Sequence, residues 1–190
     1  MIEKIKENLS KLMDNARYNH ILGTLQIALG LAERHNLEEK KVYLAALLHD
    51  YAKIFSREEM ADYIAIHKIP LDRIEEKTPS IWHGLISAHI AKEEFGISDE
   101  EVLRTVKIHS TADEKMSILD KVVYVADYIE PRGEVRSYDR RELLLLAEDD
   151  LNEATLKAID LSLEHLIKEK KLIHPRSIKA RNELLEFLNR

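Results

Sequence analysis

The segment Val42-Tyr43-Leu44-Ala45-Ala46-Leu47-Leu48 is apolar throughout and closes on His49-Asp50, so an imidazole and a carboxylate stand where a buried helix should offer only hydrocarbon. An ionised aspartate in such surroundings costs roughly several kcal/mol even after relaxation, and it persists only when paired, neutralised or bound to a cation. The anomaly recurs at Asp127, inside Val122-Val123-Tyr124-Val125-Ala126-Asp127-Tyr128-Ile129, with Pro131 following. Two such aspartates, in a chain with nine histidines and no cysteine, predict one metal centre built from imidazole and carboxylate.

Apolar residues recur at helical spacing in nearly every segment, as at Ile2, Ile5, Leu9 and Leu12 and again at Ile21, Leu25, Ala28 and Ala32. Five Gly and four Pro in 190 residues suit long helices better than strands and turns. The expectation is an all-α helical bundle, a single domain over 1–190 with its C-terminal helices packed on it. The spacing predicts helices over about 2–15, 17–35, 38–50, 57–67, 79–95, 99–110, 116–129, 139–147, 150–170 and 175–189. Ser56 with Glu59 and Ser98 with Glu101 have capping-box spacing, and Thr78-Pro79 reads as an N-cap followed by proline at the first helical position. Residues 130–139, EPRGEVRSYD, read as a loop with arginines that either faces a ligand or forms a solvated turn.

The formal net charge of −6 and a pI near 5.9 argue against a broad basic face for nucleic acid. A small polyanion needs only local positive charge, which a bound divalent cation supplies. No stretch approaches the ~20 apolar residues of a membrane span, and the first residues lack the apolar core of a signal peptide. A cytoplasmic protein with a small-molecule partner, and neither nucleic acid nor membrane, is expected. Its apolar helix faces leave room for a homodimer.

Several chemistries are excluded outright. The HExxH pattern is absent, no Glu stands three residues before any histidine, and Walker, GxSxG and GxGxxG loops are missing. What remains is a scattered set at the edges of apolar helical runs: His20, His49, His83 and His109, with Asp50 and Asp127. Helix neighbours point about 100° apart, so His49 and Asp50 converge on one point only if the helix end is adjusted; alternatively Asp50 bridges two ions. Lys53 falls one turn further on, where an ammonium reaches a phosphate or simply faces solvent. Tyr124 and Tyr128 flank Asp127 and read as packing residues.

Together these residues resemble the HD-domain metallohydrolases, and most of all the bacterial YqeK family, whose members hydrolyse diadenosine tetraphosphate symmetrically to two ADP. The resemblance runs over about residues 17 to 185 and rests on Arg17-x-x-His20, Ala45-Ala46-Leu47-Leu48-His49-Asp50-x-x-Lys53, Trp82-His83-Gly84, His109, Val123-Tyr124-Val125-Ala126-Asp127-Tyr128-Ile129-Glu130-Pro131-Arg132 and Ile173-His174-Pro175. It implies an HD-domain bundle in which His20, His49, Asp50 and Asp127 hold a metal, while His83 and His109 either complete a second site with Asp50 or contact phosphate. Arg17 is expected to support the first ligand helix by pairing with a carboxylate.

Substrate contacts are implied for Lys53, His83, His109, Ser110, Arg132 and His174, and catalytic roles for Asp50, Lys53 and Asp127. Iron is the implied cofactor, one or two ions, although the donor set also accepts manganese or cobalt. The family commonly has glycine where this chain has Ala112, a departure that matters if the position requires φ > 0. The expected reaction is phosphoanhydride cleavage by metal-activated water. The alternatives are another HD-superfamily nucleotide phosphatase or phosphodiesterase, or a metal-bound nucleotide sensor with little turnover.

Overall fold

Two helices have almost no polar face: α3 (Glu39–Leu48) buries Val42 and Leu44 through Leu48, and α7 (Ile118–Ile129) buries nine of its twelve residues. Helices apolar all round belong at the centre of a bundle, and these lie side by side there. The computed structural model describes residues 1–130 and 140–189, over which it has ten α-helices and no strand. Around the central pair, α2 (Asn15–Arg34) covers α3 and α7, and α6 (Glu100–Ile108) packs on α3, on α7 and on α5 (Trp82–Glu93). Further on, α9 (Leu151–Lys168) lies against α7, with α8 (Arg140–Asp149) and α10 (Pro175–Leu188) against α9. The amphipathic α1 (Ile2–Leu12) buries Ile5 and Leu9 beside α3, and α4 (Arg57–His67) rests on α5 with no residue fully buried. Among the described residues no helix is long and apolar enough to cross a membrane.

The helix ends explain where polar groups enter this apolar interior. α3 stops at Leu48, two residues earlier than the spacing predicts, and Asp50 turns away at φ −105°, ψ 12° into a 3₁₀ turn over Tyr51–Ile54. Buried Ser87 of α5 receives the Ala52 N–H at 2.9 Å, which satisfies an amide the broken helix leaves open. The Ser56–Glu59 capping box is present in both directions. The Ser98–Glu101 box is not: Asp99 is the N-cap of α6, accepting from the amides of Glu101 and Val102, because its carboxylate is the stronger acceptor one residue nearer the first turn. Thr78 does not cap α5 either. Pro79–Ile81 form a 3₁₀ turn and α5 begins at Trp82, whose indole N–H donates to the Glu75 carbonyl at 2.7 Å and ties the preceding loop to the helix.

A further capping box, Ser117 with Asp120, opens α7. Asp120 is buried, raised from the usual carboxylate range by that burial, and accepts from Thr105 Oγ1, the Ser117 amide and the Arg104 guanidinium. Asp120→Ala removes the acceptor shared by Arg104, Thr105 and the Ser117 amide, while Arg104 and Thr105 keep the Glu114 and Glu101 carbonyls, so a loss of about 1.5–3 kcal/mol in unfolding free energy is expected by denaturant titration. A loss under 1 kcal/mol would mean the carboxylate is not the clamp between α6 and α7.

Candidate metal centre

Five helices deliver six side chains to one buried point. Asp14 caps α2 by accepting the Arg17 amide at 2.9 Å, and His20 follows in the second turn. His49 and Asp50 lie just past the end of α3, His83 in the first turn of α5, His109 just past α6, and Asp127 on α7. His20 Nε2 is 2.9 Å from Asp127 Oδ1 and 3.7 Å from Asp50 Oδ2; His49 Nε2 is 3.5 Å from each of those oxygens. Asp50 Oδ1 points the other way, 3.3 Å from Nε2 of both His83 and His109, which are 3.0 Å apart. The broken end of α3 is what lets consecutive residues serve one centre, and Asp50 faces both halves of it.

Two local features bring the second half together. Gly84 sits where a Cβ would lie 2.8 Å from the Lys107 carbonyl, so α5 approaches α6 closely enough for His83 to meet His109. Ala112, after α6, is at φ 58° and fully buried. The backbone therefore keeps the left-handed turn that glycine would adopt without strain, at a cost of roughly 1–2 kcal/mol for the Cβ. Ser177 Oγ donates to the Thr111 carbonyl at 2.6 Å and fastens this turn to α10.

The donor set fits a divalent transition metal. His49 is fully buried, its Nδ1 donates to the Ala46 carbonyl at 2.7 Å, and its Nε2 has no hydrogen-bond partner. An orphaned buried nitrogen is costly, and one facing Asp50, Asp127 and His20 is arranged for a cation. His109 shows the same pattern, with Nδ1 on the Val106 carbonyl at 2.8 Å and Nε2 turned inward. In the protein alone, burial opposes the charged form of His49, but Asp50 and Asp127 outweigh it and push the ring up to about 9. Burial prevails at His83, bringing it down to about 4, and it lowers His109 as well. Against its own burial, Asp50 is held well below the usual carboxylate range by His49, His109 and His83.

A cavity of about 990 Å³ opens above the cluster, with His83, His109 and Asp127 on its wall beside Lys53 and Ser110. Lys53 Nζ lies 2.6 Å from Asp50 Oδ2, at once a neutralising partner and a cation at the cavity wall. Arg17 pairs with Asp14 at 3.4 Å and donates to the Lys53 carbonyl; its carboxylate partner is a cap, outside the cluster. His174 borders the cavity away from the metal cluster: it caps α10, and its Nε2 is 2.7 Å from Asp72. Arg132 lies outside the described residues, as does the rest of 131–139. Tyr124 and Tyr128, read as packing residues, also reach the cavity wall, as do Thr78, Thr111, His165 and Lys168. For Tyr124 a signal existed, because it stands three residues before Asp127 and so shares its face of α7. His165 and Lys168 had none.

The HD domain family pattern matches residues 17–132, a span that holds all six of these side chains. This chain belongs to the HD domain family. Two relatives are each named a symmetrical bis(5'-nucleosyl)-tetraphosphatase: the Bacillus subtilis protein, 37% identical with 89% of each chain covered, and the Staphylococcus aureus protein, 35% identical over 73% of this chain and 71% of that one. A crystal structure from Clostridium acetobutylicum, described as a predicted HD superfamily hydrolase involved in NAD metabolism, superposes with a TM-score of 0.90 at 33% identity over 98% of both chains. HD domains bind divalent metals, and the His/Asp groups of this HD domain are placed to do so.

Proposed function

We propose that this HD domain hydrolyses diadenosine tetraphosphate symmetrically to two ADP. The observation that carries the reading is Asp50, whose two oxygens face two histidine groups at the wall of a cavity near the upper end of small-molecule sites. The activity named for the Bacillus and Staphylococcus relatives supports it. His20, His49, Asp50 and Asp127 would hold one ion, and Asp50, His83 and His109 a second, with iron favoured and manganese or cobalt accepted by the same donors. When bound, such ions lower the pKa of water toward ~7 and polarise phosphoryl oxygens.

The chain's own residues do the rest. Lys53 sets an ammonium against Asp50 at the cavity wall, where phosphoryl oxygens bind, and Ser110 lines the same cavity. Arg132 follows α7 closely in sequence and is assigned to the polyphosphate. ADP leaves as a stable anion, so no general acid is assigned. Because Ala112 holds the left-handed turn, the loop argument for a sensor without turnover loses its basis.

The cavity that Lys53 borders is also lined by the apolar side chains of Ile74, Ile81, Leu161, Leu166 and Leu172. These leucines follow residue 132, outside the HD match, and a nucleoside is placed there. Leu172 is 48% exposed, so Leu172→Asp should fold normally and raise KM for diadenosine tetraphosphate roughly ten-fold with kcat unchanged. An unchanged KM would remove the nucleoside from that wall. The reaction itself is tested with a panel of dinucleoside polyphosphates, mononucleotides and cyclic nucleotides. ADP as sole product from diadenosine tetraphosphate, at a kcat/KM well above the rest, supports the reading. Preference for a mononucleotide phosphate ester contradicts it.

A further inference from the structure

We infer that Glu130 is the carboxylate that orients His20 for metal binding, and that Gly23 exists to admit it. Two unmatched groups meet here. His20 turns Nε2 into the cluster and leaves Nδ1 buried with no hydrogen-bond partner, whereas His49 and His109 both have Nδ1 anchored on a carbonyl three residues earlier. Glu130, the residue that ends α7, has a half-buried side chain that makes no hydrogen bond or ion pair with another described residue, although Arg140 contributes positive charge nearby. Its carboxylate occupies the place of a side chain at Gly23: a Cβ there would lie 2.3–2.5 Å from the Glu130 carboxyl atoms.

Gly23 follows His20 by three residues on α2, and side chains so spaced are neighbours with Cβ atoms about 5–6 Å apart. The carboxylate filling that gap is thus within a small rotation of the His20 ring. A buried N–H donor without an acceptor and a carboxylate without a donor complete one another. Metal-ligating histidines generally donate their second N–H to a carboxylate or carbonyl, which fixes ring orientation and tautomer. Glu130 does not line the substrate cavity, so it acts as a positioning residue through His20.

The inference rests on the metal reading of the site and not on the identity of the nucleotide. Metal-free protein is titrated calorimetrically with Mn²⁺ as wild type, Glu130→Ala, Glu130→Gln and Gly23→Ala. Glu130→Ala is expected to weaken binding 10–100-fold, and Glu130→Gln much less, because the amide oxygen still accepts from Nδ1. Gly23→Ala pushes the flexible carboxylate aside without removing it. It should match Glu130→Ala in affinity while the metal-free protein melts no lower, since alanine favours the helix. The double variant should be no weaker than either single one. Wild-type affinity in Glu130→Ala, or equal losses in the Ala and Gln variants, overturns the role of Glu130. Failure of the wild type to bind Mn²⁺ instead overturns the metal reading.

Discussion

Asp50→Ala is expected to lower kcat/KM for diadenosine tetraphosphate by more than ~10³-fold with the fold intact. The estimate exceeds the ~10²–10³ cost of a single charge-stabilising donor, because this carboxylate faces both histidine groups, one oxygen toward His20 and His49 and the other toward His83 and His109. Removing it also strips Lys53 of its partner at 2.6 Å. Asp50→Asn keeps the shape and removes the charge, so it separates loss of the anion from loss of packing. Both variants should retain helical circular dichroism and lose turnover together. An Asp50→Asn protein with a tenth of wild-type activity would show that the two groups do not work through a shared carboxylate.

Removing divalent metal is expected to lower Tm by about 8–16 °C relative to protein held at about a thousand times Kd. Binding at that excess stabilises the folded state by about 4 kcal/mol, and each kcal/mol is worth about 2–4 °C in a chain of this size. The physical source is local: without a cation, Asp50 and Asp127 face one another's histidines in a buried cluster, and His49 keeps an orphaned nitrogen. Differential scanning calorimetry with and without chelator reads the shift directly. An unchanged Tm would mean that the cluster is satisfied by its own hydrogen bonds.

The parts of this site legible in sequence are those that violate a local rule. His49, Asp50 and Asp127 interrupt apolar helical runs, and the structure brings them together with His20, His83 and His109. Ala112 stands where a left-handed turn was the concern, and the turn is there at φ 58°. Residues that obey local rules were read less well. Ser98 had the right spacing for a cap, yet neighbouring Asp99 supplies the better acceptor. The far wall of the cavity was invisible, since Leu166, Lys168 and Leu172 are ordinary helix and loop residues whose place follows only from how α9 lies on α7. Gly23 was equally silent, because an isolated glycine in a helix says nothing about the carboxylate, 107 positions later, that fills its gap.

The central claim is that metal held by this cluster drives symmetric cleavage, and one titration tests it. Metal-stripped protein is mixed with diadenosine tetraphosphate, Fe²⁺ is added anaerobically in steps, and products are resolved by ion-exchange chromatography. The account predicts no product from the stripped protein, then ADP alone, rising to a plateau at two ions per chain. Turnover by the stripped protein, or AMP and ATP in place of ADP, would contradict it.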